Sequence, residues 1–250
     1  MFRVVKTSKL TLGFILIGTL LLTTPALAGA IFGPRFPISD SDLNETAVAF
    51  ASNPDREEYL AIWHNDTDND SIQGQLLDKN GNKIGEAIDI SSGDGHNRQF
   101  PDVAYNNQSK EYLVVWESHN KSNAWVSIQS RRVSSTGNVL DSDDILISEL
   151  DLDINAFRPA AAYNPISHRY MVVWSIQEKL SPKFGIFGRT ITDEGKYDVG
   201  PFPITQTIHF VGHPDITHNP GIDRYLIVWE QLNNTSAVKD IMAVQVHGNG

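Results

Sequence analysis

One phrase recurs four times along the chain, and it limits the fold more than any other feature. It reads Glu58-Tyr59-Leu60-Ala61-Ile62-Trp63, then Glu111-Tyr112-Leu113-Val114-Val115-Trp116. It returns as Arg169-Tyr170-Met171-Val172-Val173-Trp174 and Arg224-Tyr225-Leu226-Ile227-Val228-Trp229. The tryptophans stand 53, 58 and 55 residues apart. A run this dense in β-branched and aromatic residues, without polar alternation, is the pattern of a strand buried on both faces. A period near fifty residues built on strands suits the blades of a propeller better than a helical solenoid.

The rest of the repeat supplies three more strands. Upstream, residues 46–50 (Thr46-Ala47-Val48-Ala49-Phe50) align with Pro101-Asp102-Val103-Ala104-Tyr105, Pro159-Ala160-Ala161-Ala162-Tyr163 and Pro214-Asp215-Ile216-Thr217-His218. Turns rich in Asn and Pro, such as Asn53-Pro54-Asp55 and Asn219-Pro220-Gly221, join this first strand to the tryptophan strand. Downstream, Ile72, Ile128, Ile186 and Ile241 open a third strand, and Gly81, Gly137, Gly195 and Gly250 mark the turn after it. A fourth strand closes repeats one to three at residues 87–91, 144–148 and 201–205. The fourth repeat has no such strand, but Gly33-Pro34-Arg35-Phe36-Pro37-Ile38-Ser39 carries its pattern ahead of the first repeat. The phase predicts an all-β, four-bladed propeller of four-stranded antiparallel blades, with the N-terminal strand completing the last blade. The expected boundaries are 31–39 for that strand, then 46–91, 101–148, 159–205 and 214–250 for the blades, all within one domain at 29–250. Closure of this kind leaves few free strand edges.

Across residues 31–250 the repeat resembles those of bacterial exported propeller-type repeat proteins. It carries neither the Trp-Asp dipeptide signature nor hemopexin-type phrases, so the resemblance implies architecture and no particular activity.

Residues 1–28 read as a signal peptide. Arg3, Lys6 and Lys9 lead into an apolar run from residue 10 to 22, and Ala26-Leu27-Ala28 fits small-x-small cleavage. That run is shorter than the ~18–20 residues a membrane span needs. The expectation is a secreted, cell-surface or periplasmic monomer with no membrane span after cleavage. With no cysteine in the chain, neither disulfides nor thiolate chemistry are available. A net charge of −10 argues against nucleic acid as a partner.

No motif for zinc hydrolysis, phosphate cradling or a serine or cysteine nucleophile is present. The four repeating tryptophans read as packing between blades, against the alternative of sugar platforms. Residues that break the repeat are more informative, because ligand sites are commonly built from variable loops on a constant scaffold. The loops before each first strand include residues 92–100, 149–158 and 206–213. They hold the candidate ligand-binding residues His96, Arg98, Phe100, Phe157, Arg158, His209 and His213, and Trp125 joins them from the loop after the second tryptophan strand. The competing reading of Trp125 is a side chain folded back on its own blade. Asp66, Asp68 and Asp70 alternate in a polar turn, a spacing that suits calcium, although the glycine and distal glutamate of an EF-hand loop are absent. Asp102 and Asp215 begin first strands on opposite sides of a propeller axis, as cation ligands or as backbone caps. No cofactor is required, and calcium is the one ion suggested.

The leading expectation is an exported, non-catalytic module presenting a loop face to a glycan, a peptide or a surface protein. The alternatives are an extracellular carbohydrate-active enzyme with a carboxylate pair near the axis, and a structural subunit of a surface layer or matrix. Propellers host all three roles.

Overall fold

The computed structural model describes residues 33, 35–66, 70–93, 95–148, 153–233 and 238–248. The signal-peptide segment and Asp68 lie outside them. Among the described residues the chain consists of strands and turns, and no helix is long and apolar enough to cross a membrane. Phe36–Gly250 forms one compact unit.

Four antiparallel sheets follow one another in sequence order, in a propeller-like arrangement. The first is β1 (Asn44–Asn53), β2 (Glu58–Asp66), β3 (Ser71–Asp78) and β4 (Lys83–Ser91). The second is β5 (His96–Asn106), β6 (Glu111–Asn120), β7 (Val126–Ser134) and the short β8 (Ile145–Leu146). The third is β9 (Ile154–Asn164), β10 (Arg169–Glu178), β11 (Phe184–Thr192) and β12 (Tyr197–Thr207). The fourth has three strands, β13 (Val211–Asn219), β14 (Arg224–Leu232) and β15 (Lys239–His247). The first strand of each sheet packs beside the first strand of the next, so β1, β5, β9 and β13 are innermost.

The tryptophan strands behave as their composition demands. Successive side chains of β6 point to opposite faces. Leu113 and Val115 join a core with Ala161, Val172 and Trp174 of the third sheet. Tyr112, Val114 and Trp116 join a core with Leu60, Ile62 and Ile90 of the first. A third core joins Met171, Val173 and Ile186 to Ile216, Ile227 and Trp229. Each strand in the middle of the series therefore serves two seams at once. All four tryptophans are buried.

Local chemistry sets the turns. Asn53, Asn106, Asn164 and Asn219 each accept the N–H two residues on, from Asp55, Gln108, Ile166 and Gly221, at 2.8–3.2 Å. Each of these asparagine turns ends on a left-handed residue: Glu57, Lys110, His168 and Asp223. Farther out, Gly81, Gly137 and Gly195 turn the third strand into the fourth with φ of 85°, 87° and 78°. A Cβ on Gly137 would stand 3.2 Å from Ile88, and one on Gly195 would stand 3.2 Å from Ile145. Each glycine thus receives a fourth-strand isoleucine of the preceding sheet. Gly81 has no preceding sheet, and a Cβ there would collide with the ring of Phe36.

The structure departs from the sequence reading in three places. Residues 36–39 form no strand, and they lie against the first sheet, where Phe36, Ile38, Ala47, Val48 and Trp63 line one groove. The fourth sheet accordingly has no fourth strand among the described residues. The first repeat is also aligned two residues off in the sequence reading. Ala49 pairs with Ile62 as Asp102 pairs with Val115, so Ala49, and not Ala47, is the counterpart of Asp102. Finally, the segments read as loops before the first strands are largely strand, because β5, β9 and β13 begin at His96, Ile154 and Val211. Proline after residues 100, 158 and 213 hides this, since it removes a ladder donor and breaks the visible pattern.

Trp116 sits fully buried in the seam between the first two sheets. Trp116→Ala is expected to cost about 3–5 kcal/mol of unfolding free energy, read by urea denaturation. An unchanged midpoint would show that this seam does not carry the fold.

Candidate functional site

The innermost strands share a defect, and the defect builds the site. In every sheet the pairing between first and second strand slips at one place, between Thr46 and Ala49, Gln99 and Asp102, Phe157 and Ala160, and Gly212 and Asp215. At each slip one non-glycine residue adopts the left-handed conformation: Ala47, Phe100, Arg158 and His213, with φ of 51°, 49°, 53° and 51°. Such bulges re-aim a side chain out of the sheet. Here they bring four different side chains to one depression between the first strands, about 310 Å³ in volume. Asp102 and Asp215 line it as well. A second depression of about 370 Å³ adjoins it, shares Phe100, Arg158 and His213, and is walled by Phe157, Phe184 and Phe210.

The charged groups are held in pairs. Glu117, at the end of the second tryptophan phrase, is buried. Its Oε1 accepts the backbone N–H of Arg158 at 2.7 Å, and Oε2 lies 2.9 Å from Nε2 of His119. The Arg158 guanidinium stacks on Phe100, with Cζ 3.3 Å from the ring centroid. Across the site, Nδ1 of His213 lies 3.1 Å from Oε2 of Glu230, which Lys239 also holds.

The two aspartates differ. Asp102 accepts the backbone N–H of Ala161 through Oδ2 at 2.8 Å, tying the second sheet to the third, and only a small part of its surface stays open. Burial, reinforced by the negative charge of Asp215, pushes its carboxyl up to about 6, against the backbone N–H donors that favour the anion. Asp215 is exposed and accepts the N–H of Ile216 at 2.8 Å. One inner carboxyl is therefore protonated in mildly acidic solution beside another open to solvent.

Of the residues singled out in the sequence, Phe100, Phe157, Arg158, His213, Asp102 and Asp215 come together here. The others stand elsewhere. Arg98 is buried and spends its guanidinium on the carbonyls of Asp70 and Gly93 and on Asp144. His96 bonds Ser118, and burial lowers its affinity for a proton. Trp125 is buried and donates through Nε1 to the carbonyl of Ile154, so its ring packs between the second and third sheets. His209 follows β12 and does not line either depression. Asp66 is exposed at the end of β2, while Asp70 is buried 3.8 Å from His64. Among the described residues no three His, Asp or Glu side chains gather as metal ligands. The sequence reading missed Glu117, His119 and Glu230 as site residues. The signal was present in the first position after each tryptophan, which runs His64, Glu117, Ser175 and Glu230 while the strand before it stays constant.

No protein-family model matches the chain, and no curated protein sequence matches it. Solved structures do share its fold. An N-acetylgalactosamine deacetylase from F. plautii aligns with a TM-score of 0.56 at 8% identity, over 80% of this chain and 71% of its own. An endo-arabinase from Bacteroides thetaiotaomicron aligns at 0.56 and 10% identity, over 87% and 80%. A Hadza microbial sialidase, Hz136, reaches 0.58 at 11% identity, over 82% of this chain but 45% of its own. At such identities the likeness shows the fold, and several of the fold's occupants act on glycans. The expectation of a non-catalytic module is corrected on this point, since the neighbours that share the fold are named as enzymes.

The raised Asp102 carboxyl makes a prediction with a definite sign. Its proton is bound more tightly in the folded chain than in the unfolded one, so its contribution to stability is full below pH ~4 and is lost as pH rises through about 6. Asp102→Asn removes that loss. The variant should gain on wild type between pH 4 and 6, by at most about 3 kcal/mol, in denaturation curves taken across that range. Glu111, pushed by burial up to about 7, remains in both proteins and cancels in the comparison. A difference independent of pH would refute a raised Asp102.

Proposed function

We propose that the chain is a carbohydrate-active enzyme whose reaction takes place in the depression between the innermost strands. The observation that carries this reading is that Asp102, protonated up to about pH 6, and the solvent-open Asp215 line the same depression. In this reading Asp102 gives its proton to the leaving oxygen of a glycosidic bond, and Asp215 serves the opposite face as base or nucleophile. The aromatic wall at Phe157 offers stacking area for sugar rings. The solved relatives named for arabinan, galactan and sialoside processing set the first substrates to try. Purified protein should release reducing sugar from one of these glycans. Asp102→Asn and Asp215→Asn should each lower kcat by roughly 10²–10⁴-fold. Activity should decline above about pH 6, as Asp102 loses its proton. Turnover that is absent on every glycan, or unchanged in both variants, would end this reading.

We further infer that the four sheets are blades of a closed ring with this depression at its axis, the last blade taking its fourth strand from residues 36–39. The two end faces support it. Phe50 is 71% exposed on the first sheet, whereas its counterparts Val103, Ala161 and Ile216 are buried in seams. On the fourth sheet Leu226 and Ile241 are 40% and 74% exposed, whereas their counterparts Leu60 and Ile72 are fully buried. Phe36 already fills, at Gly81, the place that Ile88 and Ile145 fill at the later glycines. Ile72 pairs with Ser91 and Ile186 with Thr205, so closure puts Ile241 opposite Ser39. The chain lacks cysteine, which makes the test clean. Ser39→Cys with Ile241→Cys should oxidise to a disulfide within one chain, seen as a faster-migrating monomer on a non-reducing gel. A disulfide-linked dimer would mean that a second copy covers these faces, and persistent free thiols would mean that the faces do not meet.

A further inference from the structure

We propose that Arg158 is the recognition point for a sugar carboxylate, so that the glycan taken by this site is an acidic one. The inference rests on the glycan reading above and narrows its substrate class.

Three observations carry it. First, the guanidinium is in place with its hydrogen-bond donors unspent. Its plane lies on Phe100, and the hydrogen bond to Glu117 comes from its backbone N–H, while the side chain makes only a long ion pair with the same carboxylate. The side chain donates no hydrogen bond among the described residues, and its nearest carboxylate oxygen, on Glu117, is 3.7 Å from Nε. Glu117 has both oxygens engaged, by Arg158 N–H and by His119. The charge is thus steadied from below while the donor fork stays open. A guanidinium fork matches a carboxylate in bidentate geometry, and a flat stack on an aromatic ring fixes its plane.

Second, Arg158 stands where the two depressions meet. It lines the one that holds Asp102 and Asp215 and the one walled by Phe157, Phe184 and Phe210. Its side chain is 41% exposed, so a ligand reaches it without unfolding anything. A sugar ring laid on the aromatic wall would bring a ring substituent within reach of the fork.

Third, the position is a reading position and not a structural one. Ala47, Phe100, Arg158 and His213 occupy the same left-handed place in the four sheets. The backbone strain there belongs to the repeat, since all four bear it, and so does not depend on arginine. What differs is the side chain, and only Arg158 brings a permanent positive charge. The whole chain carries a net charge of −10 and would repel an acidic glycan at a distance, so an acidic ligand needs a local cation at the point of contact.

The test is equilibrium binding by calorimetry to the full chain carrying Asp102→Asn, which separates binding from turnover. The probes are trigalacturonate and sialyllactose as acids, with arabinotriose and lactose as their neutral partners. The expected result is preferential binding of at least one acidic probe, weakened by added salt. Adding Arg158→Gln should lower that affinity by 10-fold or more and leave neutral binding unchanged, and Arg158→Lys should restore only part of it. Trigalacturonate alone would assign a uronate, and sialyllactose alone a ulosonate. Neutral probes binding as well as acidic ones, or Arg158→Gln leaving acid binding intact, would overturn the proposal while the glycan reading stands. Acid binding in a protein that hydrolyses nothing would keep the proposal and remove the enzyme. No binding by any probe would sink both.

Discussion

Everything in this molecule depends on sheets that bury both of their faces. A four-stranded sheet with one dry face settles against one neighbour and stops. A sheet whose central strand reads Tyr-Leu-Val-Val-Trp must find a neighbour on each side, because the hydrophobic cost of leaving either face wet is large. Tyr112, Val114 and Trp116 commit the second sheet to the first, and Leu113 and Val115 commit it to the third. The series grows by that logic, and the innermost strands are brought side by side as a result. The site between those strands is therefore a product of the packing and not an addition to it.

The same constraint explains the polar architecture. Strands that pack on both faces leave their ends as the only places where charge can sit cheaply. Glu117 stands one residue beyond Trp116, at the point where the apolar run gives out, and it still needs a backbone N–H and a histidine to be held there. Asp102 stands nearer the opening, and it meets the cost of its burial partly by holding its proton more tightly and partly by bonding to Ala161 of the next sheet. The contact that ties the two sheets together works against that proton, because an N–H donor favours the anion, and burial outweighs it.

Much of the fold was legible in the sequence, and for a physical reason. Trp63, Trp116, Trp174 and Trp229 recur at one place in the repeat because they do one job, and each buried asparagine turn repeats its own signature. The expected all-β sheets follow from these. The two-residue misalignment of the first repeat has an equally physical origin. Val48 stands there where the other repeats have proline, so the eye loses the marker that fixes the bulge. The site was legible only in part. Phe100, Arg158 and His213 stood out as irregular residues before a proline, but that their left-handed backbone turns them toward one another is a property of φ, which the sequence does not display. Arg98 and Trp125 have the same composition signal and go elsewhere, into Asp144 and into the Ile154 carbonyl. Side-chain type told which residues were able to bind, and the bulge decided which of them were presented.

That bulge has a further consequence for how such a molecule can change over time. Ala47, Phe100, Arg158 and His213 show one backbone place accepting a methyl group, an aromatic ring, a guanidinium and an imidazole. The scaffold bears the conformational cost in every sheet, so the identity of the side chain is decoupled from the stability of the repeat. A lineage carrying this fold can therefore exchange what it recognises through single substitutions at four positions, without first accumulating the compensating changes that a buried site demands. Novelty at the centre of the molecule is cheap because monotony around it is strictly kept.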